Sequence, residues 1–302
     1  MFDYQDFQQV FPAGAQLPYD RELQAEIENS RKTFNGVLFI DRVTKALGLT
    51  KSKLYPPKSD SALRQFHQQI CDATMSLHHK FSLLYYLLLD FDEADARTLA
   101  SDNFATASGM PKNYQILMKG LWHLDQQEFS KALEYIAHPS LIPEFSDDIL
   151  TAFITQGHDA LALSYYYTVQ PILSTTSALE LLFDAMARTD ATEALFFSRT
   201  QSECTHEILF RRLVSVVLGD KRGDSSFGAR DLAFLPFESD EEAWFEDYLT
   251  NGDGKSFKRA KDTLLTRKIA GDRFDEMARL RGGGQWAPVL EGIKAGTEGQ
   301  PE

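Results

Sequence analysis

Apolar side chains recur three and four residues apart along most of this 302-residue chain, from about residue 60 onward. That spacing places side chains on one face of an α-helix, whereas a half-buried strand requires strict alternation. One such face is formed by Leu63, Phe66, Ile70, Ala73 and Leu77. Alternating runs bounded by hairpin turns do not occur in the sequence, so the pattern predicts an all-α fold.

The most apolar run extends from Phe81 to Leu89, is interrupted by Ser82 and is followed by Asp90. A helix over this run is apolar nearly all round, so we predict that it lies at the centre of the fold. Crossing a bilayer requires ~20 apolar residues. The run has nine residues, so the sequence predicts no membrane span.

An Ala-Leu pair recurs at Ala132-Leu133, Ala162-Leu163 and Ala194-Leu195, with intervals of 30 and 32 residues. Each pair follows a turn rich in Gly, Asp or Gln, and we predict that a second helix opens four or five residues before it. A looser copy contains Met277-Ala278. A small Ala lets a neighbouring helix approach closely, and one helix pair cannot bury its apolar face alone. The repeats therefore predict an irregular α-solenoid of stacked helix pairs.

Composition divides the chain into three regions. Residues 1–30 contain scattered aromatic residues among acidic and Gln residues, which indicates an N-terminal arm or a short helix. Residues 31–280 carry the helical pattern of the solenoid. Residues 281–302 are rich in Gly, Pro and Glu, which predicts a flexible C-terminal tail.

One apolar island interrupts the predicted tail. Trp286, Leu290 and Ile293 have the spacing of a short amphipathic helical turn. The island either folds back onto the last helices or docks on a partner, with Trp286 as an aromatic anchor of the kind that dominates interface energies. The sequence leaves both interpretations open.

Acidic residues outnumber basic residues by 44 to 31, which gives a formal net charge of -13. Proteins that bind nucleic acid through its phosphates usually carry a positive field, so direct binding of DNA or nucleosomes is disfavoured. The excess lies in the first 250 residues, which carry -15, while residues 251–302 carry +2. The charge distribution therefore favours protein partners.

No arrangement of residues in the sequence predicts catalysis, a metal site, a cofactor or a small-molecule substrate. The segment 252–256 resembles the end of a phosphate-binding loop, but Leu249 stands where the first glycine is required. His67 and Cys71 lie on one predicted helix face without a second Cys or His pair, so we interpret them as structural side chains. The acidic cluster from Asp90 to Asp95 is interpreted as the end of one helix and the start of the next.

The helical region carries a further pattern, in which a Trp-containing helix, the Ala-Leu helices and the turns between them follow in order. Its residues are Trp122, Leu124, Asp125, Ala132, Leu133, Gly157, Ala162, Leu163, Glu193 and Ala194. In order and spacing, the pattern resembles the ELYS-like helical domain of nuclear pore assembly proteins. The resemblance covers about residues 60 to 280 and is strongest from 116 to 200.

This resemblance implies a non-catalytic structural nucleoporin in the nuclear pore complex of the nuclear envelope. Its partners would be nucleoporins of the Y-shaped scaffold complex, the propeller and solenoid subunits of one arm, and its role would be pore assembly and anchoring. The sequence shows neither the β-propeller nor the AT-hook of the long animal form, so it is similar to the short fungal type. From the residues alone, the alternative is a cytosolic helical-repeat adaptor that recruits a soluble client protein.

Overall fold

The structure is a computed structural model that describes residues 2–11, 17–49, 54–95, 97, 99–219, 231–273 and 287–298. Every regular element among these residues is a helix, and none of them lies in a strand. The all-α prediction is therefore confirmed. Within each unit, several consecutive helices pack against each other in a solenoid-like arrangement.

The chain divides into two compact units, Met1–Ser174 and Thr175–Glu302. In the described part of the first unit, the helices are α1 (Phe7–Val10), α2 (Arg21–Thr33), α3 (Phe39–Ala46), α4 (Asp60–Asp72), α5 (Leu77–Ala94), α6 (Ala100–Ser108), α7 (Lys112–Asp125), α8 (Phe129–Ile136), α9 (Ser146–Thr155) and α10 (Asp159–Val169). The boundary that composition placed at residue 30 lies inside α2, because this helix begins at Arg21 and is continuous to Thr33.

In the described part of the second unit, the helices are α11 (Thr176–Thr189), α12 (Ala191–Arg199), α13 (Glu203–Gly219), α14 (Ser239–Thr250), α15 (Ala260–Ala270) and α16 (Ala287–Glu298). A 3₁₀ turn, Asp253–Ser256, connects α14 to α15, and residues 231–234 are also helical. Helix α16 lies within the region for which composition predicts a flexible tail. Met277-Ala278, the looser copy of the repeat, lies outside the described residues.

Helix α5 forms the centre of the first unit. All residues from Phe81 to Phe91 are buried, on every side of the helix. The neighbours that cover it are α4, α6 and α7. The apolar run therefore correctly predicted a central helix, and the burial extends to Ser82 and Asp90, the two polar residues in this stretch.

Three helix pairs carry the Ala-Leu repeat, with α8 packed on α7, α10 on α9, and α12 on α11. Ala132, Ala162 and Ala194 are completely buried, as close helix approach requires. The second helix of each pair begins three residues before the alanine, rather than the predicted four or five. The difference arises because the residue four before each alanine, Glu128, His158 or Asp190, is the N-cap of the helix and lies outside it.

The turns of the first two pairs close in the same way, with one residue in the left-handed region after the first helix. Gly157 occupies this position after α9, with a φ of +82° that glycine adopts without steric cost. After α7 the position is filled by Gln127, with a φ of +60°. Its amide donates to the hydroxyls of Ser30 and Thr33 at 3.1 and 3.2 Å, which links the turn to α2.

Gly120 lies where α7 and α8 approach most closely. A Cβ added at this position would lie 2.5 Å from Ile136 Cγ2 and 3.2 Å from Tyr135 Cβ. Atoms that close would overlap, so only glycine fits here without a shift of α8. The turn at Gln127 and the contact at Gly120 together fix how α8 lies on α7.

Candidate functional site

The first unit buries two carboxylates in its core. Asp90 lies on α5 and is 2% exposed, and Asp125 is the last residue of α7 and is 4% exposed. A buried carboxylate is costly unless hydrogen-bond donors surround it. Each of the two accepts three hydrogen bonds from neutral groups, so the site is a buried polar network.

Asp90 collects donors from three parts of the unit. Tyr19 donates to Oδ2 at 2.7 Å, Tyr55 donates to Oδ2 at 3.0 Å, and the indole of Trp122 donates to Oδ1 at 2.8 Å. Burial raises the pKa of Asp90 to about 6, against the opposing effect of these donors. The carboxylate therefore connects the segment before α2 and the segment between α3 and α4 to α5 and α7.

Asp125 caps a helix that is distant in sequence. Its oxygens accept the backbone N–H groups of Phe39 at 2.7 Å and Ile40 at 3.0 Å, the first two residues of α3. The Tyr86 hydroxyl donates to Oδ2 at 2.8 Å. Burial raises the pKa of Asp125 to about 7, although these donors and the positive end of the α3 dipole favour the charged form. Asp125 thereby attaches α3 to the end of α7.

An acidic cavity of about 480 Å³ opens beside Asp90. Its acidic lining residues are Asp20, Glu22, Glu26, Asp90, Glu93 and Glu128. The described lining also includes Trp122, Leu23 and other uncharged residues, and it contains no Lys or Arg. This field attracts basic groups and repels phosphate, in the same sense as the net charge, which disfavours direct binding of DNA or nucleosomes.

In the second unit, arginine side chains bind carboxylates, whereas neutral donors surround the two buried carboxylates of the first. Glu241 on α14 is completely buried and accepts from Arg199 through both oxygens, at 2.8 and 2.7 Å. The ring of His206 lies 2.9 Å from Oε1, and the backbone N–H of Glu238 donates to Oε2. Burial raises the pKa of Glu241, but Arg199 and these donors outweigh it and the net shift is downward.

The neighbouring residue of α14, Glu242, binds two further arginines. The Arg267 guanidinium lies 3.7 Å from the centre of the Phe237 ring and donates to the carbonyls of Ala233 and Leu235. It also binds Glu242, which accepts from Arg273 at 2.8 Å. Burial raises the pKa of Glu242, but Arg267 and Arg273 reverse the effect and lower it. The pair connects α14 and α15 to the segment before α14.

The residues of the sequence pattern lie on the helices of the three pairs or in the turns between paired helices. Trp122 and Asp125 belong to the buried network, and Leu124 beside them is fully buried. Leu163 is buried beside Ala162, while Leu133 is only half-buried. Glu193 lies in the first turn of α12, where its backbone N–H binds the Asp190 side chain that caps the helix.

Of the three predicted docking residues, the structure describes Leu290 and Ile293. Trp286 lies outside the described residues. Leu290 on α16 is 2% exposed and packs against Leu265 of α15, with Ile293 and Ile269 partly buried around it. The described part of the island therefore contacts the last helices of its own unit.

The sequence also singled out His67 with Cys71 and the acidic cluster that begins at Asp90, and the structure shows where they lie. His67 Nε2 lies 3.6 Å from Cys71 Sγ, and both atoms face the backbone carbonyl of Tyr4. Across the described ranges, no group of three or more potential metal ligands occurs. Asp92 accepts from the N–H groups of Ala100 and Ser101, so it opens α6 as the acidic cluster predicted.

Sequence reasoning missed the centre of the buried network. Asp90 was grouped with the acids that follow it, although it stands between Leu89 and Phe91 in an apolar run. A carboxylate inside such a run is a signal of a buried polar contact, because the helix has no solvent face there. Its partners Tyr19 and Tyr55 carried no comparable signal, since they lie 71 and 35 residues away.

The helical part of the chain is similar to known proteins. A family model described as ELYS, nuclear pore complex assembly, matches residues 37–252. An uncharacterized protein, ely5, of Schizosaccharomyces pombe is 28% identical over 162 residues, which cover 53% of this chain and 52% of ely5. Human protein ELYS is 27% identical over 153 residues, 46% of this chain and 7% of the human protein.

The chain thus spans about half the length of ely5 and a small part of human ELYS. Among the described residues, no helix is both long and apolar enough to cross a membrane. The family match begins two residues before α3 and ends just after α14, so it includes both Asp90 and Asp125 and the three Ala-Leu helix pairs. Because the match covers well over half of the sequence, the chain belongs to the ELYS family of nuclear pore complex assembly proteins.

Proposed function

We propose that this chain is a non-catalytic structural subunit of the nuclear pore, attached to the Y-shaped scaffold complex, where it supports pore assembly and anchoring. Membership of the ELYS family implies a role in nuclear pore complex assembly. The observation that carries the proposal is the family match over residues 37–252, which takes in most of the helical body. The family is described by an assembly role rather than by a catalysed reaction.

The proposed partners are nucleoporins of the Y-shaped complex, the propeller and solenoid subunits of one arm, and the proposed location is the nuclear pore in the nuclear envelope. Stacked helices support this role because they present extended surfaces for protein contacts. The net charge of -13 and the acidic cavity support protein partners over direct contact with DNA or nucleosomes.

Tagging the chain at its own locus tests the proposal. We expect a nuclear-rim signal, co-purification of Y-complex subunits in stoichiometric amounts, and crosslinks from them to residues within 37–252. Diffuse cytoplasmic signal with none of these subunits would overturn the proposal and support a cytosolic adaptor. A rim signal whose partners all lie outside the Y-shaped complex would overturn the attachment while preserving the location.

The C-terminal island requires its own test. A docking role for Trp286, Leu290 and Ile293 requires α16 to leave α15, because Leu290 packs on Leu265 in this structure. Deleting residues 281–302 separates the two roles. Lost recruitment with an unchanged thermal melt supports docking, whereas a large loss of stability with retained recruitment supports the folded-back helix.

A further inference from the structure

The first part of the N-terminal region, residues 2–11, is called the arm below. It contacts the rest of the first unit through a row of aromatic rings. Phe2 packs edge-on against Phe104 of α6, and Tyr4 packs edge-on against Phe81 of α5, both with ring centres 5.6 Å apart. Farther along the arm, the Phe7 ring lies 5.5 Å from His67 of α4. The arm therefore follows one face shared by α4, α5 and α6.

The arm has two faces of different chemistry. Val10 and Phe11 are 4% exposed, and the Phe11 ring lies 5.6 Å from that of Phe91. The polar residues between the aromatic residues face solvent; they are Asp3, Gln5, Asp6, Gln8 and Gln9. This alternation is typical of a short peptide that places its apolar side chains in a groove.

Most hydrogen bonds of the arm are internal. Asp6 caps α1 by accepting the Gln8 N–H at 3.0 Å, and the Asp3 N–H donates to the Gln9 side chain at 3.0 Å. Toward the body, the Tyr4 carbonyl lies 2.9 Å from His67 Nε2. The arm is thus held mainly by ring contacts, which a separate peptide of the same sequence could also make.

The charges of the two surfaces are complementary. Two body cations face the arm: the Arg64 guanidinium lies 4.0 Å from the centre of the Phe7 ring, and the Lys80 amine lies 5.9 Å from that of Tyr4. Arg64 also binds Asp60 on its own helix at 2.8 Å, so Lys80 supplies the larger part of the positive charge toward the arm. Such cation-aromatic contacts add to apolar burial. The arm itself carries Asp3 and Asp6 and has no Lys or Arg between residues 2 and 11. The groove therefore suits an acidic, aromatic segment.

The arm precedes the family-matched region, whereas all three groove helices lie inside it. We propose that the face of α4, α5 and α6 is a docking groove for an acidic aromatic peptide segment, and that the N-terminal arm is its internal, displaceable occupant. A covalent tether gives a ligand an effective concentration of roughly millimolar. The arm therefore fills the groove in the isolated chain, and a partner segment of the same chemistry displaces it when its affinity and concentration outweigh this effective concentration. This inference does not depend on attachment to the Y-shaped complex.

A cleavable form of the full chain tests the proposal. A protease site placed within residues 12–16 allows the tether to be cut after folding, and the released fraction of the arm is measured on dilution. A labelled peptide of residues 2–11 is then added and followed by fluorescence anisotropy. We expect the arm to dissociate, the labelled peptide to bind the cleaved body, and the uncut chain to bind it at least 100-fold more weakly.

Matched peptides define the recognition. The Phe7→Ala peptide should bind at least 10-fold more weakly than the parent peptide, because it loses the contacts with His67 and Arg64. The Gln8→Ala peptide changes an exposed neighbour and should bind within 2-fold. An arm that stays bound through dilution and never exchanges would show that it is a permanent part of the core. A cleaved body that keeps its helical circular dichroism but binds neither peptide, or that unfolds once the arm leaves, would equally overturn the proposal.

Discussion

The two units bury carboxylates by opposite means. In the first unit, Asp90 and Asp125 are surrounded by neutral donors, and burial raises the pKa of both. In the second unit, Glu241 and Glu242 face arginines, which overcome the effect of burial and lower the pKa of both. The comparison shows that a buried or half-buried carboxylate can favour either protonation state, depending on whether a cation accompanies it.

This difference gives the units opposite responses to pH. A carboxyl group whose pKa is raised on folding stabilises the fold below its unfolded value, and the contribution is lost as pH rises through the folded value. A group whose pKa is lowered stabilises the fold above its unfolded value, and the contribution is lost as pH falls. The first unit should therefore weaken toward neutral pH, and the second unit toward acid.

The largest predicted effect is the weakening of the first unit as pH rises from about 4 to above 7. The pKa values of about 6 for Asp90 and about 7 for Asp125, against 3.8 for an ordinary Asp, correspond to losses on the order of 3 and 4 kcal/mol, respectively. Hydrogen exchange of peptides from each unit, corrected for the intrinsic effect of pH, measures the two stabilities separately. Over this range the second unit should show no comparable decline.

Matched variants assign the pH effect to its residues. Replacing both carboxylates, with Asp90→Asn and Asp125→Asn, should remove the decline in the first unit. Asp92→Asn changes a neighbouring carboxylate on α5 that caps α6, and it should leave the decline in place. Equal pH profiles for the two units would contradict the comparison.

The next largest effect is expected when the second unit loses a cation. Arg199→Met leaves Glu241 buried with only His206 and backbone donors, which should lower the free energy of unfolding by about 3–5 kcal/mol. Adding Glu241→Gln removes the uncompensated charge and should recover most of the loss. Chemical denaturation of the two variants and the parent chain measures both steps.

Lys131→Met provides the matched control for that pair. Lys131 binds Glu128 at the surface of the first unit, where solvent screens the ion pair and its contribution to stability is small. A loss as large as that of Arg199→Met would show that burial is not what makes the arginine pair important. A loss below about 1 kcal/mol for Arg199→Met itself would contradict the dependence of Glu241 on its cation.

The sequence predicted the features that depend on neighbouring residues and missed those that depend on distant ones. The Ala-Leu pairs and the apolar run of α5 identified helices and their buried faces, because helical periodicity is local. Asp125 belonged to the sequence pattern, but its role as the cap of α3 joins positions 85 and 86 residues apart. No local signal specifies which distant helix a carboxylate will cap.

Gly120 shows the same limit at a packing contact. Its position in the sequence, two residues before Trp122, gives no indication that Ile136 lies against it. We expect Gly120→Ala to lower the free energy of unfolding by about 1–3 kcal/mol, because the added methyl group overlaps Ile136 and crowds Tyr135. Thermal melts of the variant, alone and with Ile136→Val or Ile136→Ala, test this reason. Partial rescue by the smaller partner supports it, and a neutral Gly120→Ala variant contradicts it.

The smallest predicted effect concerns a glycine of the second unit that, unlike Gly120, has open space around its Cβ position. Gly292 lies on the exposed side of α16, and a Cβ added there meets no atom within 4 Å. Since glycine weakens a helix interior relative to alanine, Gly292→Ala should stabilise the second unit by about 0.5–1 kcal/mol if the helix contributes to its stability. The same variant combined with Leu290→Ala should lose this gain, because α16 is then no longer held on Leu265. An unchanged melt for Gly292→Ala would show that the unit does not depend on α16, which would favour release of this helix to a partner.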